Sequence, residues 1–121
     1  PMSNDPTLNP AAIQALRDLS PDGSQEFLRE LIAIYLADTP KQLAQLEDAL
    51  NRQDVAVATR AANTLKGSSS NFGAEQLARM AQEIETACKS NNLAAAAAAL
   101  PDLKRHFAQV VEALQRTAAD S

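Results

Sequence analysis

Apolar residues recur every three or four positions along most of the chain, which is the period of an amphipathic α-helix. Four long segments show this spacing, and a shorter one precedes them. In the first long segment the apolar positions are Phe27, Leu28, Leu31, Ile32, Tyr35, Leu43, Leu46 and Leu50. The pattern therefore predicts five helices, of which the first is short.

Capping and turn residues set the limits of these helices. Ser, Asp and Asn side chains accept hydrogen bonds from the free amides of a first helical turn, whereas Gly and Pro end helices. Two internal prolines, Pro40 and Pro101, predict a bend in one helix and a bend or a join in the last. The boundary signals, in chain order, are an N-cap at Asn9 followed by Pro10, a turn at 20–23, N-caps at Ser24 and Asp54, and turns at Gly73 and 91–92.

The remaining helices present apolar faces that could pack together. The third helix, ending near residue 71, carries Ala58, Ala61, Ala62, Leu65, Ser69 and Phe72 on one side. The fourth carries Leu77, Met80, Ala81, Ile84 and Cys88. The last carries Leu93, Ala97, Leu100, Leu103, Phe107, Val110, Val111 and Leu114, and its alanine run at 94–99 predicts a close-packed seam.

Four amphipathic helices joined by short turns pack most simply as an all-α, antiparallel up-down-up-down bundle, with the short first helix capping one end. We expect this bundle to occupy residues 9–117. Residues 1–8 are expected to be disordered, with Pro1 before Met2 resembling a cloning remnant, and residues 118–121 are expected to fray.

Composition narrows the function. The 121 residues suffice for one domain, and 45% are apolar but only 3% aromatic, which favours helices over sheets. The net charge of -4 argues against nucleic acid as a ligand. One cysteine excludes an internal disulfide, and no apolar run reaches the roughly 20 residues that span a bilayer. We therefore expect a cytoplasmic monomer without membrane insertion.

The third helix has a polar side opposite its apolar one. At about 100° per residue, Asn63 falls near the centre of that side. Gly67 costs about 1 kcal/mol relative to Ala inside a helix, so its place one turn beyond Asn63 suggests clearance for a partner. The positive charge of Lys66 suits an anionic group on that partner. The full polar side comprises Thr59, Arg60, Asn63, Lys66, Gly67 and Ser70.

The run 63–74 resembles the signature of histidine-containing phosphotransfer (HPt) domains of bacterial-type phosphorelays. In that family the run reads His-x-Leu-Lys-Gly-x-Ser, then a large apolar residue and Gly-Ala. The positions that match in type and spacing are Lys66, Gly67, Ser69, Phe72, Gly73 and Ala74. The pair at 84–85 also resembles the family's aliphatic-Glu pair on the next helix, and the resemblance covers essentially the whole chain.

The resemblance implies a phosphoryl carrier and not an enzyme acting alone. In the family, a histidine takes a phosphoryl group from the aspartyl phosphate of a response-regulator receiver domain and passes it to another receiver. The receiver supplies Mg²⁺, so the resemblance implies no cofactor or metal site in this chain. Lys66 would offset phosphoryl charge, Gly67 would give clearance, and Thr59, Arg60 and Ser70 would belong to the partner-binding face.

One position departs from the family, because Asn63 stands where the phosphorylated histidine belongs. The lone pair of an amide nitrogen is delocalised into the carbonyl, so asparagine is not the nucleophile that a neutral imidazole is. As written, the chain is expected to dock receivers without carrying phosphate.

Two explanations of Asn63 are open. An engineered His→Asn change in an active HPt domain fits the Pro1 remnant and the intact Lys66-Gly67 setting. A natural pseudo-HPt would instead sequester a receiver or another signalling protein. A third hypothesis, from another class, is a structural bundle without any link to phosphorelays. Whether the chain is free-standing or part of a hybrid sensor kinase is also open.

Other reactive side chains on the chain favour structural interpretations. His106 lacks the Lys-Gly setting and is interpreted as a surface histidine. Cys88 has no ligand at metal spacing and is interpreted as core packing. Glu83 and Glu85 point apart on a helix and make no catalytic pair.

The turn at Gly73 pairs the third and fourth helices antiparallel, which brings one residue of the fourth helix beside Asn63. The spacing leaves four candidates, and the resemblance favours Glu85 as the one that orients the side chain at position 63. These candidates are Gln82, Glu85, Thr86 and Lys89.

Overall fold

The computed structural model describes residues 7–22 and 25–120, and within them the chain forms helices and turns but no strands. The helices of this part of the chain are α1 (Pro10–Arg17), α2 (Glu26–Asn51), α3 (Val55–Asn71), α4 (Glu75–Lys89) and α5 (Leu93–Ala119). Both α3 and α5 contact α2 and α4, so the four long helices close into a ring. Short turns make successive helices antiparallel. The predicted four-helix bundle with a short additional N-terminal helix is confirmed.

The apolar faces meet in one core. Every residue predicted to face inward on α3 is buried, as are most of those on α2, α4 and α5. Alanines at the contacts between helices let the backbones approach closely, while leucines fill the centre. The largest fully buried apolar side chains include Leu28, Ile32, Leu46, Leu65, Leu77, Ile84, Leu103, Val110 and Leu114.

Each of the three turns between long helices reverses the chain through one residue with left-handed backbone. Gln53, Gly73 and Asn91 have φ values of 58°, 69° and 59°. In each turn the next amide donates to the carbonyl five residues earlier, at 2.8, 3.0 and 2.8 Å, which is the Schellman closure. Of these three residues only Gly73 is a glycine, because α1 packs against it and leaves no room for a side chain. A Cβ there would lie 2.6 Å from Cβ of Asn9.

Contacts of Asn9 hold α1 over the end of the bundle where α3 turns into α4. Its backbone amide donates to the carbonyl of Gly73 at 2.9 Å, and its side-chain amide donates to Glu75 at 3.0 Å. Its side-chain oxygen meanwhile caps α1 by accepting from the amide of Ala11 at 2.9 Å. These bonds of Asn9 tie the first helix to this end of the bundle, where it was predicted to form a cap.

Two of the three predicted N-caps can be compared with the structure. The side chains of Asn9 and Asp54 cap α1 and α3 as predicted. Ser24 lies outside the described residues. Helix α2 begins at Glu26, and its N-cap residue Gln25 makes no capping bond with its side chain.

The limits of the domain differ from the prediction at both ends. Thr7 is buried and Leu8 packs against the core, so the folded domain includes residues before position 9. At the other end α5 continues to Ala119, because Thr117 bonds to a carbonyl of the previous turn and Ala118 packs on the core. Residues 1–6 and 121 lie outside the described residues.

Three details of the helices also correct the prediction. Helix α1 ends at Arg17, and Leu19 is 60% exposed beyond it. In the alanine run, Ala96 is fully buried and Ala97 is exposed, so the seam is narrower than predicted. Helix α5 runs through Pro101 without a join. The bends predicted at the internal prolines stay predictions.

Within the described residues, none of the helices combines the length and hydropathy that crossing a bilayer requires.

Candidate functional site

The residues singled out on α3 share one outward face. Asn63 and Gly67 are exposed, and the side chain of Lys66 is 32% exposed. They share this side of the helix because residues 66 and 67 follow residue 63 by three and four positions, close to one full turn. Of the remaining residues predicted for this face, Arg60 and Ser70 are exposed and Thr59 is half-buried.

Glu85 of α4 lies beneath this face and is 3% exposed. Its Oε2 accepts a hydrogen bond from Nδ2 of Asn63 at 3.2 Å, and its Oε1 accepts one from Nζ of Lys66 at 2.9 Å. Nζ of Lys89, one turn along α4, lies 3.1 Å from the same Oε2. Glu85 is thus the residue, among the four candidates on α4, that is hydrogen-bonded to Asn63.

Glu85 stays charged in this setting. Burial raises the pKa of its carboxyl group, but hydrogen bonds from Lys66, Lys89 and Asn63, together with the charge of Lys66, more than offset burial and hold the pKa below its ordinary range. One buried negative charge therefore faces two lysine ammonium groups, which leaves an excess of one positive charge beside Asn63.

Lys66 and Gly67 follow Asn63 along the face and differ in their contacts. Lys66 is anchored twice, because its Nζ also donates to Oε1 of Gln82 at 2.7 Å, and Gln82 in turn donates to Thr86 at 3.1 Å. At Gly67 an added Cβ would meet nothing within 4 Å. The absence of a side chain there is not required by packing in this chain, and it leaves bare backbone beside Asn63.

Thr59 and Cys88 lie behind the site. The hydroxyl of Thr59 donates to the carbonyl of Val55 at 2.7 Å, so its proton is not free for a partner. Burial and the charge of Glu85 raise the pKa of the Cys88 thiol, against the hydrogen bond with Thr59. Cys88 is a fully buried free cysteine, as packing predicted.

An apolar groove lies on the α2 side of α3, between α1, α2 and α3, whereas Glu85 lies on the α4 side. Its volume is about 220 Å³, and Ile34 beside it is 57% exposed. Ile34 was not among the residues predicted to form a site. The signal was present, because Phe27, Leu31 and Ile34 form a second apolar stripe along α2 at spacings of four and three. The groove is lined by Leu16, Leu31, Ile34, Tyr35, Asp38, Thr39, Gln42, Ser68, Asn71 and Phe72.

His106 lies apart from this face, and the described residues form no metal-binding group. His106 belongs to α5, which is diagonally opposite α3 in the ring, and it is half-buried, whereas the prediction placed it on the surface. Among the described residues, no group of three or more His, Cys, Asp and Glu side chains is arranged to hold a metal ion.

The family follows from this fold and from comparison with known proteins. The model of the Hpt domain family matches residues 30–118, which is well over half of the chain. The chain therefore belongs to the Hpt domain family. Members of this family are phosphoryl carriers of phosphorelays, not conventional enzymes, and they interact with receiver domains of response regulators.

Particular proteins resemble the chain at moderate identity. Over 93 residues, 77% of this chain, it is 30% identical to the phosphorelay intermediate protein rdeA of Dictyostelium discoideum, of which the match spans 37%. It is 26% identical to pseudo histidine-containing phosphotransfer protein 2 of Oryza sativa subsp. japonica, over 83% of this chain and 68% of the rice protein.

A solved structure matches the whole bundle. The crystal structure of histidine-containing phosphotransfer protein B (HptB) from Pseudomonas aeruginosa PAO1 superimposes with a TM-score of 0.88 and 26% sequence identity. The match covers 98% of this chain and 99% of that protein. The short N-terminal helix is thus part of a shared architecture.

Proposed function

We propose that this chain is a receiver-docking module of a phosphorelay, with Asn63 at the phosphoacceptor position. The observation that carries the proposal is the placement of Asn63, Lys66 and Gly67 on one exposed face, with Asn63 bonded to the buried carboxylate of Glu85. This arrangement presents one side chain, one cation and bare backbone to an incoming anionic group. The setting is cytoplasmic and the chain acts as a monomer.

A histidine at position 63 would complete the chemistry. Oε2 of Glu85 would accept a hydrogen bond from one ring N–H, which would fix the tautomer of the neutral ring and turn its other, unprotonated nitrogen outward. That nitrogen would attack the phosphorus of a receiver's aspartyl phosphate, forming a P–N bond while the P–O bond to the aspartate breaks and a carboxylate leaves. The excess positive charge of Lys66 and Lys89 over Glu85 would offset the phosphoryl charge, and the receiver would supply Mg²⁺. Transfer to a second receiver reverses these steps.

Asn63 blocks this chemistry and leaves docking in place. An amide nitrogen has no free lone pair for attack on phosphorus. Its size and its hydrogen bond to Glu85 nevertheless keep the face assembled. As written, the chain therefore binds receivers and carries no phosphoryl group.

The apolar groove beside α3 supplies docking area that the polar face lacks. Ser68, the neighbour of Gly67, lines the groove. Ile34 also lines it and is exposed to solvent. Exposed apolar surface of this kind is typical of binding sites for protein partners. A receiver helix seated in the groove would bring the receiver's aspartate over position 63.

A second candidate is a natural pseudo-HPt module that sequesters a receiver. The similarity to a rice protein named as a pseudo histidine-containing phosphotransfer protein supports this candidate. The two candidates share the docking face and differ in the native residue at position 63. The genomic codon for that position distinguishes them.

The decisive experiment compares the chain as written with its Asn63→His variant. Each is mixed with ³²P-labelled receiver domains from the same genome, and label on the chain is followed by electrophoresis. We expect label on the variant and none on the chain as written. Absence of transfer to the variant from every receiver, with its helical circular dichroism unchanged, would contradict the proposal.

Binding assays separate docking from a purely structural bundle. Lys66→Ala and Gly67→Leu are both on the exposed face, so they should weaken receiver binding without unfolding the domain. Lys41→Ala, on an exposed part of α2, is the matched control. Unchanged binding of both face variants would favour the structural bundle.

A further inference from the structure

Two lysines share the carboxylate beside Asn63, and they are not equally held. Nζ of Lys66 donates to Glu85 at 2.9 Å and to Gln82 at 2.7 Å, and its side chain is 32% exposed. Nζ of Lys89 bonds to Glu85 alone among the described residues, at 3.1 Å, and its side chain is 63% exposed. Lys66 has two anchors, whereas Lys89 has one and can reach solvent.

The bond between Lys89 and Glu85 is weakly held. Only the carboxylate of this pair is buried; the side chain of Lys89 is 63% exposed, so its ammonium group can exchange Glu85 for water. Lys89 also shares Oε2 with the amide of Asn63. A phosphoryl dianion offers Lys89 more negative charge than this shared oxygen does.

We propose that Lys89 is the cation that leaves Glu85 to bind a phosphoryl group at position 63, while Lys66 stays on Glu85 and Gln82. The inference rests on the proposed function, because it assigns a phosphoryl group to that position. In this arrangement Lys66 neutralises Glu85, and Lys89 offsets one of the two negative charges of the dianion.

The exchange would also keep position 63 oriented. When Lys89 leaves, Oε2 of Glu85 still accepts the hydrogen bond from the side chain at that position. Arg60, one turn earlier on the same face, is a further exposed cation but makes no bond to Glu85. Lys89 therefore differs from its neighbours in being both close to position 63 and free to move.

The first test measures the phosphoryl group itself. The Asn63→His variant is treated with phosphoramidate, which transfers its phosphoryl group to imidazole nitrogen as ammonia leaves, and the pKa of the attached phosphoryl group is read by ³¹P NMR. A nearby cation favours the dianion, so Lys89→Met should raise this pKa by roughly half a unit, a threefold change.

Three further variants in the same background make the test specific. Lys89→Arg should restore the low pKa, Lys66→Met should change it less than Lys89→Met does, and Lys41→Met should leave it unchanged. The chain as written gives the background signal of His106, its sole histidine. A pKa indifferent to Lys89→Met, or more sensitive to Lys66→Met, would overturn the inference.

A second measurement uses the chain as written and separates this inference from the proposed function. Inorganic phosphate is titrated against sodium chloride of equal ionic strength, and the lysine ammonium signals are followed by ¹⁵N-resolved NMR. We expect a saturable shift at Lys89 that is lost in Lys89→Met. A shift at Lys66 alone, or no shift at either lysine, overturns the inference. Failure of the Asn63→His variant to accept phosphate, with the Lys89 shift intact, would overturn only the proposed function.

Discussion

The hydroxyl oxygen of Tyr35 in α2 lies 2.8 Å from Oγ of Ser69 in α3, and both residues are buried. The ring of Tyr35 also packs on Phe72 and Phe107, with centroids 5.1 and 6.1 Å away. Burial raises the pKa of Tyr35, while hydrogen bonds with Ser69 and Thr39 oppose part of the rise. The pair joins two helices at a defined rotation, and that rotation decides which side of α3 faces solvent.

Ser69→Ala should therefore destabilise the bundle by about 1–2 kcal/mol, because the buried hydroxyl of Tyr35 loses its hydrogen bond with Ser69. The measurement is urea unfolding followed by circular dichroism. Ser70→Ala is the control, since Ser70 is exposed and bonds only to a carbonyl of its own helix; its change should stay within about 0.5 kcal/mol. Equal losses in the two variants would contradict the assigned role of the Tyr35–Ser69 bond.

Glu85→Gln should make stability less dependent on pH. The pKa of Glu85 in the folded chain lies below its ordinary value, so its contribution is present above the ordinary carboxyl pKa of about 4.3 and is lost as the pH falls through the folded pKa. At pH 7 we expect a loss of about 1–2 kcal/mol, limited because both lysines can regain hydration. The difference between the two proteins should vanish in acid.

The control for this prediction is Glu83→Gln, an exposed position of the same helix. Urea unfolding across pH 3–7 should show little difference between this variant and the unchanged chain. A deficit of Glu85→Gln that is the same at every pH would point to lost packing and not to lost charge.

Two glycines should respond in opposite ways to the same substitution. Gly67→Ala should raise the free energy of unfolding by about 0.5–1 kcal/mol, because the new methyl group meets nothing and Ala is the better helix former. Gly73→Ala should lower it by more than about 1 kcal/mol, since the backbone there is left-handed and the methyl group would collide with Asn9. Thermal unfolding measures both; a stability gain in the Gly73 variant would refute the close approach of α1.

Ile34→Ser should weaken receiver binding roughly tenfold while leaving stability nearly unchanged. Ile34 is 57% exposed at the groove, so little of the core depends on it, whereas a docked helix would bury it. Titration calorimetry with a receiver measures the affinity. Leu19→Ser, at a residue 60% exposed outside the groove, should bind normally, and a similar loss in that variant would remove the groove from the docking surface.

Features that depend on neighbouring residues could be predicted from the sequence. The cap of α3 at Asp54 and the end of α3 at Asn71 follow from bonds within a few residues. The outward direction of Asn63, Lys66 and Gly67 follows from the helical period, because the apolar and polar residues of α3 lie on opposite sides of the helix. The alanine run offers no such contrast. There the helical period predicted that Ala97 is buried, whereas the buried residue is Ala96. Uniform side chains leave the rotation of a helix to its packing.

By itself, the sequence determined the helices, their order, the bundle class and the polar face of α3, because all of these arise from local bonds and periodic hydrophobicity. Only the tertiary structure decided that Glu85 meets Asn63, that Lys89 shares its carboxylate, and that α1 presses on Gly73. The first and last of these contacts join residues more than twenty positions apart. They depend on the relative rotation and offset of whole helices, which the packing of the complete core sets and no single segment encodes.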